Sequence, residues 1–234
     1  MAFGQVDRIR ETARRRRVTN LPRLDGDDRT NERIHALLRH LNPADVALFV
    51  RKFSTEPRTQ RIHTYRELLF GVHLRDNGFD ARYERRLGTK TPDWTLVDKS
   101  DNPLEIVDVT TLHQKLEKDL EIGNALRDKR LWSGWITVPS DHVYSKLETK
   151  INTYATHAAV AGMPFVVAAF GEFRASLDPQ EVQHVLFVHH GGLLATSPEL
   201  SGVVYFREVN CEYEYTYFQN AHAMHQSALF RATT

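Results

Sequence analysis

The sequence has few of the features that mark secreted or membrane proteins. Cys211 is its only cysteine, which excludes an intrachain disulfide and a cysteine-based zinc site. No apolar run approaches the roughly 18 residues of a membrane span, and the first residues lack the apolar core of a signal peptide. The formal net charge is +1, which by itself indicates no class of partner. These absences predict a soluble, cytoplasmic protein with no membrane partner.

The charge is unevenly placed along the chain. Residues 1–23 contain seven arginines, and the densest part is the run Arg14, Arg15, Arg16 and Arg17. Such a run binds nucleic acid in some proteins and is a solvated tail in others, and both alternatives stay open. The pattern predicts a basic, helical N-terminal extension over 1–58 and a domain over 59–234.

Hydrophobic periodicity predicts a mixed α/β domain with a central sheet flanked by helices. Helices are predicted over 31–41, 43–52, 59–77, 112–129 and 139–161, the last with Ser140 as its N-cap. Strands are predicted over 79–87, 94–97, 104–109, 165–170, 185–188, 203–206 and 212–218, and 132–138 is a strand or a packed loop. The run 165–170 is entirely apolar, which is typical of a strand buried on both faces.

Helical spacing predicts which faces of two helices are buried. In 59–77 the apolar stripe is Ile62, Tyr65, Leu69 and Val72. Glu67 lies off that stripe but shares a ridge with Phe70 and Leu74, so it is either solvated or turned toward a site. In 139–161 the stripe is Val143, Leu147, Ile151, Tyr154 and Ala158.

Two acidic residues belong to a predicted β-hairpin formed by 94–97, a turn, and 104–109. Asp93 follows Pro92 at the start of the first strand, and Asp108 interrupts an otherwise apolar second strand. Alternation along that strand places Ile106, Asp108 and Thr110 on one face. Two carboxylates on neighbouring strands can hold a hard cation. The alternative is that Asp93 belongs to a turn and that Asp108 is an edge-strand residue whose hydrogen bonds are satisfied. The presence of both acids favours the cation site.

The order of these elements resembles the PD-(D/E)XK nuclease superfamily, whose restriction-endonuclease-like core is an α-β-β-β-α-β sandwich. The resemblance covers roughly residues 60–170 and includes Pro92-Asp93 and Asp108-Val109-Thr110. It implies hydrolysis of phosphodiester bonds, in DNA more often than RNA, by a water that Mg²⁺ activates, with Mn²⁺ able to substitute. It implies metal ligands at Asp93, Asp108, the carbonyl of Val109, and Glu67.

The sequence departs from the family at Thr110, where the pattern has lysine. Lys150 is the best replacement, because it lies at the edge of the apolar stripe and four residues before Tyr154. That spacing resembles the Gln-x-x-x-Tyr pattern of the exonuclease branch, with lysine for glutamine. The alternative is an ordinary surface lysine. The predicted catalytic residues are therefore Asp93, Asp108, Lys150 and Glu67.

Further expectations concern partners. Arg82 and Arg85 precede the hairpin and, with the run Arg14–Arg17, are predicted to contact nucleic acid; the alternative for Arg82 and Arg85 is a solvated strand face. The oligomeric state stays open, with a homodimer as one alternative. Because of Thr110, the alternative function is a catalytically inactive module that binds nucleic acid or a protein. The pairs His189-His190 and His222 with His225 match no zinc motif, so no zinc site is predicted.

Overall fold

The structure is a computed structural model, and it describes residues 28–55, 58–113, 128, 138–172, 177–210 and 212–231. The chain divides into two compact units, Met1–Leu104 and Glu105–Thr234. Both contain helices and strands, which confirms the predicted mixed α/β class. Among the described residues, no helix combines the length and apolar character needed to cross a membrane.

The described residues of the N-terminal unit form three helices and a two-stranded antiparallel ladder. The helices are α1 (Asp28–His40), α2 (Pro43–Thr55) and α3 (Arg58–Asp76), and the strands are β1 (Ala81–Tyr83) and β2 (Trp94–Val97). In the ladder, Tyr83 lies opposite Trp94. All three helices were predicted, with ends that differ by a few residues.

Trp94 is the centre of the N-terminal core. Its indole N–H donates to the carbonyl oxygen of Glu67 at 2.8 Å. Its ring lies 5.2 Å from that of Tyr83, which in turn lies 6.4 Å from that of Phe49 on α2. A Cβ at Gly71 would lie 2.2 Å from the indole, so only glycine lets α3 approach this closely. These contacts fix α3 against β2, and with it the position of Glu67.

The described residues of the C-terminal unit contribute four strands of mixed direction, together with helices. Its main elements are β3 (Pro103–Leu112), α4 (Ser140–Ala161), β4 (Phe165–Gly171), α5 (Pro179–Phe187), α6 (Leu193–Thr196), β5 (Gly202–Val209) and β6 (Glu212–Gln219). β4 pairs in parallel with β3 and β5, whereas β5 and β6 are antiparallel. Parallel neighbours need a long crossover, and the segment between β3 and β4 includes α4. β4 is buried along its whole length, as predicted.

The packing of α4 also confirms the sequence pattern. Its buried residues are the predicted stripe: Val143, Leu147, Ile151, Tyr154 and Ala158. The Tyr154 ring lies 5.7 Å from that of Phe165 on β4. The predicted N-cap is wrong: Pro139 occupies that position without a side-chain hydrogen bond, and Ser140 is the first helical residue.

The strand predicted over 185–188 is wrong, because residues 185–187 belong to α5. The Asp178 side chain accepts a hydrogen bond from the backbone N–H of Glu181, and the Glu181 side chain accepts one from the backbone N–H of Asp178. These two hydrogen bonds form a capping box at the start of α5. Val182, Val185 and Leu186 then lie on one buried helical face. A short apolar run is compatible with either element, and the capping box decides for the helix.

Three smaller expectations are also corrected. The strand predicted over 79–87 is only Ala81–Tyr83, because Glu84 adopts a left-handed backbone with φ of 46°. Ile62 is exposed rather than part of a buried stripe. Leu112 ends β3 instead of beginning a helix. Most of 112–129 and 132–138 lies outside the described residues, and the division at residue 58 stays a prediction.

Glu105 on β3 is a buried carboxylate held by the end of the chain. Its oxygens accept from the hydroxyl of Ser227 and, at 3.1 Å, from the N–H of Ala228. The side chain is almost fully buried, and burial raises its pKa from 4.5 to about 7, although Ser227, Ala228 and Arg231 oppose the rise.

This burial predicts a pH-dependent stability. Between pH 4.5 and 7 the folded state binds the proton more tightly than the unfolded state, so stability should fall as pH rises. We expect a loss of about 3 kcal/mol from this group over that range, absent in Glu105→Gln. Urea unfolding of both proteins from pH 4.5 to 8 measures it. Parallel profiles of stability against pH would contradict the prediction.

Candidate active site

Glu67 lies on the buried face of α3, so it is not a solvated glutamate. It is 7% exposed, and its ridge neighbours Phe70 and Leu74 are fully buried. Its Oε2 accepts from the hydroxyl of Tyr83 at 2.5 Å and lies 3.5 Å from Nζ of Lys52. The sequence left a solvated and a site-facing position open, and the structure places Glu67 in a buried polar network.

Glu84 and Asp93 extend this network into an acidic cluster. One carboxylate oxygen each from Glu67, Glu84 and Asp93 lies within 4.8 Å of the others. The backbone N–H of Glu84 donates to the carbonyl of Asp93 at 2.9 Å, which ties the end of β1 to the start of β2. Lys52 on α2 forms ion pairs with Glu67 and Glu84. We call these three acids with Lys52 the N-terminal acidic cluster.

The electrostatics of the cluster follow from its burial. Burial raises the pKa of Glu67. The charge of Lys52 and the hydrogen bond from Tyr83 lower this pKa, but by less than burial raises it. Burial by itself would lower the pKa of Lys52, but Glu67, Glu84 and Asp93 raise it, so its ammonium stays charged. Burial and the charge of Glu67 raise the pKa of Tyr83, which therefore remains a donor. Three carboxylates around one ammonium form an oxygen-rich ligand set that suits a hard cation.

Asp108 and Lys150 form an ion pair in the C-terminal unit. Asp108 lies on β3 opposite Val167 of β4 and is 1% exposed. Nζ of Lys150 on α4 lies 2.6 Å from its Oδ2, and the Lys150 side chain is 32% exposed. The lysine that the sequence selected to replace Thr110 thus contacts the acid of the motif and does not point into bulk solvent.

The geometry of this pair follows from the helix. Lys150 lies between Leu147 and Ile151, both buried against the sheet, so its stem follows the packed face. Thr110 shares its strand face with Asp108 and is also buried. Lys150 therefore supplies a cation to the strand face on which the family pattern places its lysine. The roles of Asp93, Asp108, Lys150 and Glu67 in catalysis, and of the Val109 carbonyl in metal binding, stay predictions.

The predicted nucleic-acid-binding arginines have protein partners in the structure. Nε of Arg82 lies 2.8 Å from Oδ1 of Asp101, and NH1 of Arg85 lies 3.3 Å from Oδ2 of the same residue. Both arginines would have to exchange this partner for a phosphate. Their role stays a prediction, and Arg14, Arg15, Arg16 and Arg17 lie outside the described residues.

Lys52, Tyr83 and Glu84 are site residues that the sequence did not single out. A signal for Lys52 exists, because it stands between Phe49 and Phe53, which are both buried on α2. The same reasoning selected Lys150. Glu84 gives no such signal, since its position depends on the left-handed backbone that ends β1.

Comparisons with known proteins add little to this geometry. No family model matches the chain, and no curated protein matches it in sequence. The CdiA-CT/CdiI toxin and immunity complex from Burkholderia pseudomallei is 12% identical, with a TM-score of 0.35 over 70% of this chain and 90% of that one. SfsA of Pyrococcus furiosus, solved in complex with Ca²⁺, is 14% identical, with a TM-score of 0.31 over 69% of this chain and 64% of that one. Both TM-scores are too low to assign a fold or an activity, so membership of the PD-(D/E)XK superfamily stays a prediction.

Proposed function

We propose that this protein is a metal-dependent nuclease that hydrolyses phosphodiester bonds, with DNA as the expected substrate. The observation that carries the proposal is the ion pair between Lys150 and Asp108. The motif places an acid and a lysine on one strand face; here Thr110 stands at the lysine position, and Nζ of Lys150 on α4 lies 2.6 Å from Oδ2 of Asp108. A surface lysine at position 150 would have favoured the inactive alternative.

The proposed ligands are those that the sequence resemblance implies: Asp93, Asp108, Glu67 and the carbonyl of Val109. All are oxygen donors, which is the kind of ligand that Mg²⁺ and Mn²⁺ bind. When bound, the metal would lower the pKa of a water and offset charge on the phosphoryl oxygens. We propose that Lys150 adds positive charge beside that water and that Asp108 orients the ammonium group. Lys52 keeps Glu67 and Glu84 together by its two ion pairs.

The direct test is cleavage of plasmid, single-stranded DNA and RNA by the purified protein with Mg²⁺, Mn²⁺ or EDTA. We expect cleavage with either metal and none with EDTA. A protein that binds nucleic acid or a metal but cleaves none of these substrates would contradict the nuclease and support the inactive binding module. Cleavage that persists in EDTA would contradict the role of the metal.

Lys150→Met tests the residue on which the proposal depends. Methionine keeps the stem that packs on the sheet and removes the charge, so we expect cleavage to fall by about 100-fold, as for loss of an acid–base group. Metal affinity should change little. The control is Lys146→Met, one turn earlier on α4 and outside the ion pair with Asp108, which should cut like the parent.

A second variant separates a catalytic from a structural role. Adding Thr110→Lys to Lys150→Met should restore part of the activity, because residue 110 shares the strand face of Asp108. A purely structural pair would not recover cleavage in this way. If Lys150→Met cuts as fast as the parent, the replacement of the missing lysine by Lys150 is wrong.

A further inference from the structure

A second cluster of metal-binding side chains lies in the C-terminal unit and has no part in the nuclease proposal. Asp141 is in the first turn of α4, and His189 and His190 form a 3-10 turn directly after α5. Oδ1 of Asp141 lies 2.8 Å from Nε2 of His189 and 3.2 Å from Nε2 of His190. Tertiary packing therefore adds a carboxylate, 48 residues away in sequence, to a histidine pair that matched no motif.

The turn that carries the histidines presents both rings to the same carboxylate. His190 has a left-handed backbone, with φ of 53° and ψ of 32°, and Gly191 and Gly192 follow with φ of 85° and 84°. A Cβ at Gly192 would lie 2.7 Å from the carbonyl oxygen of Phe187, so the chain can turn this tightly only at a glycine. The result is two imidazoles whose centroids are 4.1 Å apart.

Tyr144 fixes the orientation of the two rings. It lies one turn after Asp141 on α4, and its ring packs edge-on against His189 at 5.9 Å and His190 at 5.0 Å between centroids. Aromatic contacts of this kind limit rotation about the side-chain bonds. Both Nε2 atoms are therefore held toward Asp141 by a neighbour that is not itself a ligand.

The spacing of the three atoms fits a small coordination sphere. Bonds from Zn²⁺ to histidine nitrogen and carboxylate oxygen are about 2.0–2.2 Å, so ligand atoms of a tetrahedral ion lie about 3.3 Å apart. The two distances to Asp141 Oδ1 are 2.8 and 3.2 Å, and one ligand atom from each of the three residues lies within 4.8 Å of the others. In the metal-bound protein the two rings and the carboxylate would turn toward a common ion, and coordination would replace these hydrogen bonds.

The donor set selects a different ion from the N-terminal acidic cluster. Two imidazole nitrogens and one carboxylate suit Zn²⁺, Co²⁺ or Ni²⁺, whereas Mg²⁺ prefers oxygen ligands throughout. Three protein ligands leave a fourth position for water, as in open zinc sites. Asp141 is 78% exposed and His190 59% exposed, so an ion can reach the site directly from solvent.

We propose that Asp141, His189 and His190 bind one divalent transition-metal ion of the Zn²⁺ class. Each histidine binds through Nε2 as a neutral ring with its proton on Nδ1, and the metal replaces the two N–H donors to Asp141. The ion joins the first turn of α4 to the turn after α5. This site is separate from the proposed nuclease residues and does not depend on them.

The experiment uses the full chain without a histidine tag, stripped of metal with EDTA and dialysed. Titration with Co²⁺ should produce the visible absorption of a tetrahedral ion at one equivalent, and Zn²⁺ should remove that signal by competition. Calorimetric titration with Zn²⁺ in a large excess of Mg²⁺, which occupies the carboxylate ligands of the proposed nuclease site, should give the same stoichiometry. One equivalent of Zn²⁺ should also raise the melting temperature of the parent protein, because the ion binds only the folded state.

Single-ligand variants decide whether these residues hold the ion. His190→Ala and Asp141→Asn should weaken Zn²⁺ binding by at least about tenfold, since even outer-shell changes commonly cost that much. Both positions are exposed, so both variants are expected to fold. His222→Ala is the control, because it removes an exposed histidine elsewhere and should bind like the parent. Unchanged affinity in His190→Ala, or no one-to-one binding by the parent, would overturn the proposal.

Discussion

Asp93→Asn and Asp108→Asn are each expected to reduce metal-dependent cleavage by about 1000-fold or more. Asparagine keeps the shape of the side chain but removes the charge that, in the proposed nuclease, holds a divalent cation. The metal supplies several kcal/mol of transition-state stabilisation in reactions of this class, which sets the size of the effect. Cleavage of labelled DNA under single-turnover conditions measures it, with Mg²⁺ affinity measured on the same samples.

The controls remove an acid elsewhere in each unit. Glu32→Gln lies on α1 and Glu148→Gln on α4; both side chains are exposed and lie outside the sites described above. Both variants should cleave like the parent. Full cleavage in a folded Asp93→Asn or Asp108→Asn variant would remove that residue from the site. If only Asp108→Asn lost activity, Asp93 would be a structural member of the N-terminal acidic cluster.

Lys52→Met is expected to lower the free energy of unfolding of the N-terminal unit by about 3–5 kcal/mol, the usual cost of removing one partner from a buried ion pair. The side chains of Lys52 and Glu67 are 15% and 9% exposed, so solvent screens this pair far less than a surface pair. Methionine fills the same volume without the charge. Urea unfolding followed by circular dichroism measures the difference.

Two further variants test whether the loss of stability comes from removing the charge that compensates Glu67. The exposed pair of Arg33 and Asp76 has its side chains 41% and 39% accessible, so Arg33→Met should cost about 1 kcal/mol or less. Adding Glu67→Gln to Lys52→Met should recover part of the loss, because the more buried of the two carboxylates paired with Lys52 then carries no charge. The loss should also shrink as pH falls, since protonation of Glu67 has the same effect. Equal costs for Lys52→Met and Arg33→Met would contradict the compensating role of Lys52.

For the candidate site residues, the sequence limited which side chains could face the site but did not decide which of them contact one another. It selected Lys150 from its place beside a buried stripe, but whether the ammonium reached a carboxylate depended on the packing of α4 against the sheet. Lys52 contacts Glu67 and Glu84, 15 and 32 residues away in sequence, and no local pattern encodes such distances. The same holds for Asp141 with His189 and His190.

The amino-acid sequence by itself determined the elements whose burial has a clear period. The five-residue stripe of α4 and the apolar run of β4 were predicted because hydrophobic side chains must leave water on whichever face the backbone geometry presents. The short apolar run 185–187 fits a helix or a strand, and the local capping box of Asp178 and Glu181 favours the helix. Tertiary structure alone decided the partners of each buried charge. A buried charge is stabilised by an opposite charge or by hydrogen bonds from residues that are distant in sequence. Those residues come close to it only once the chain has folded.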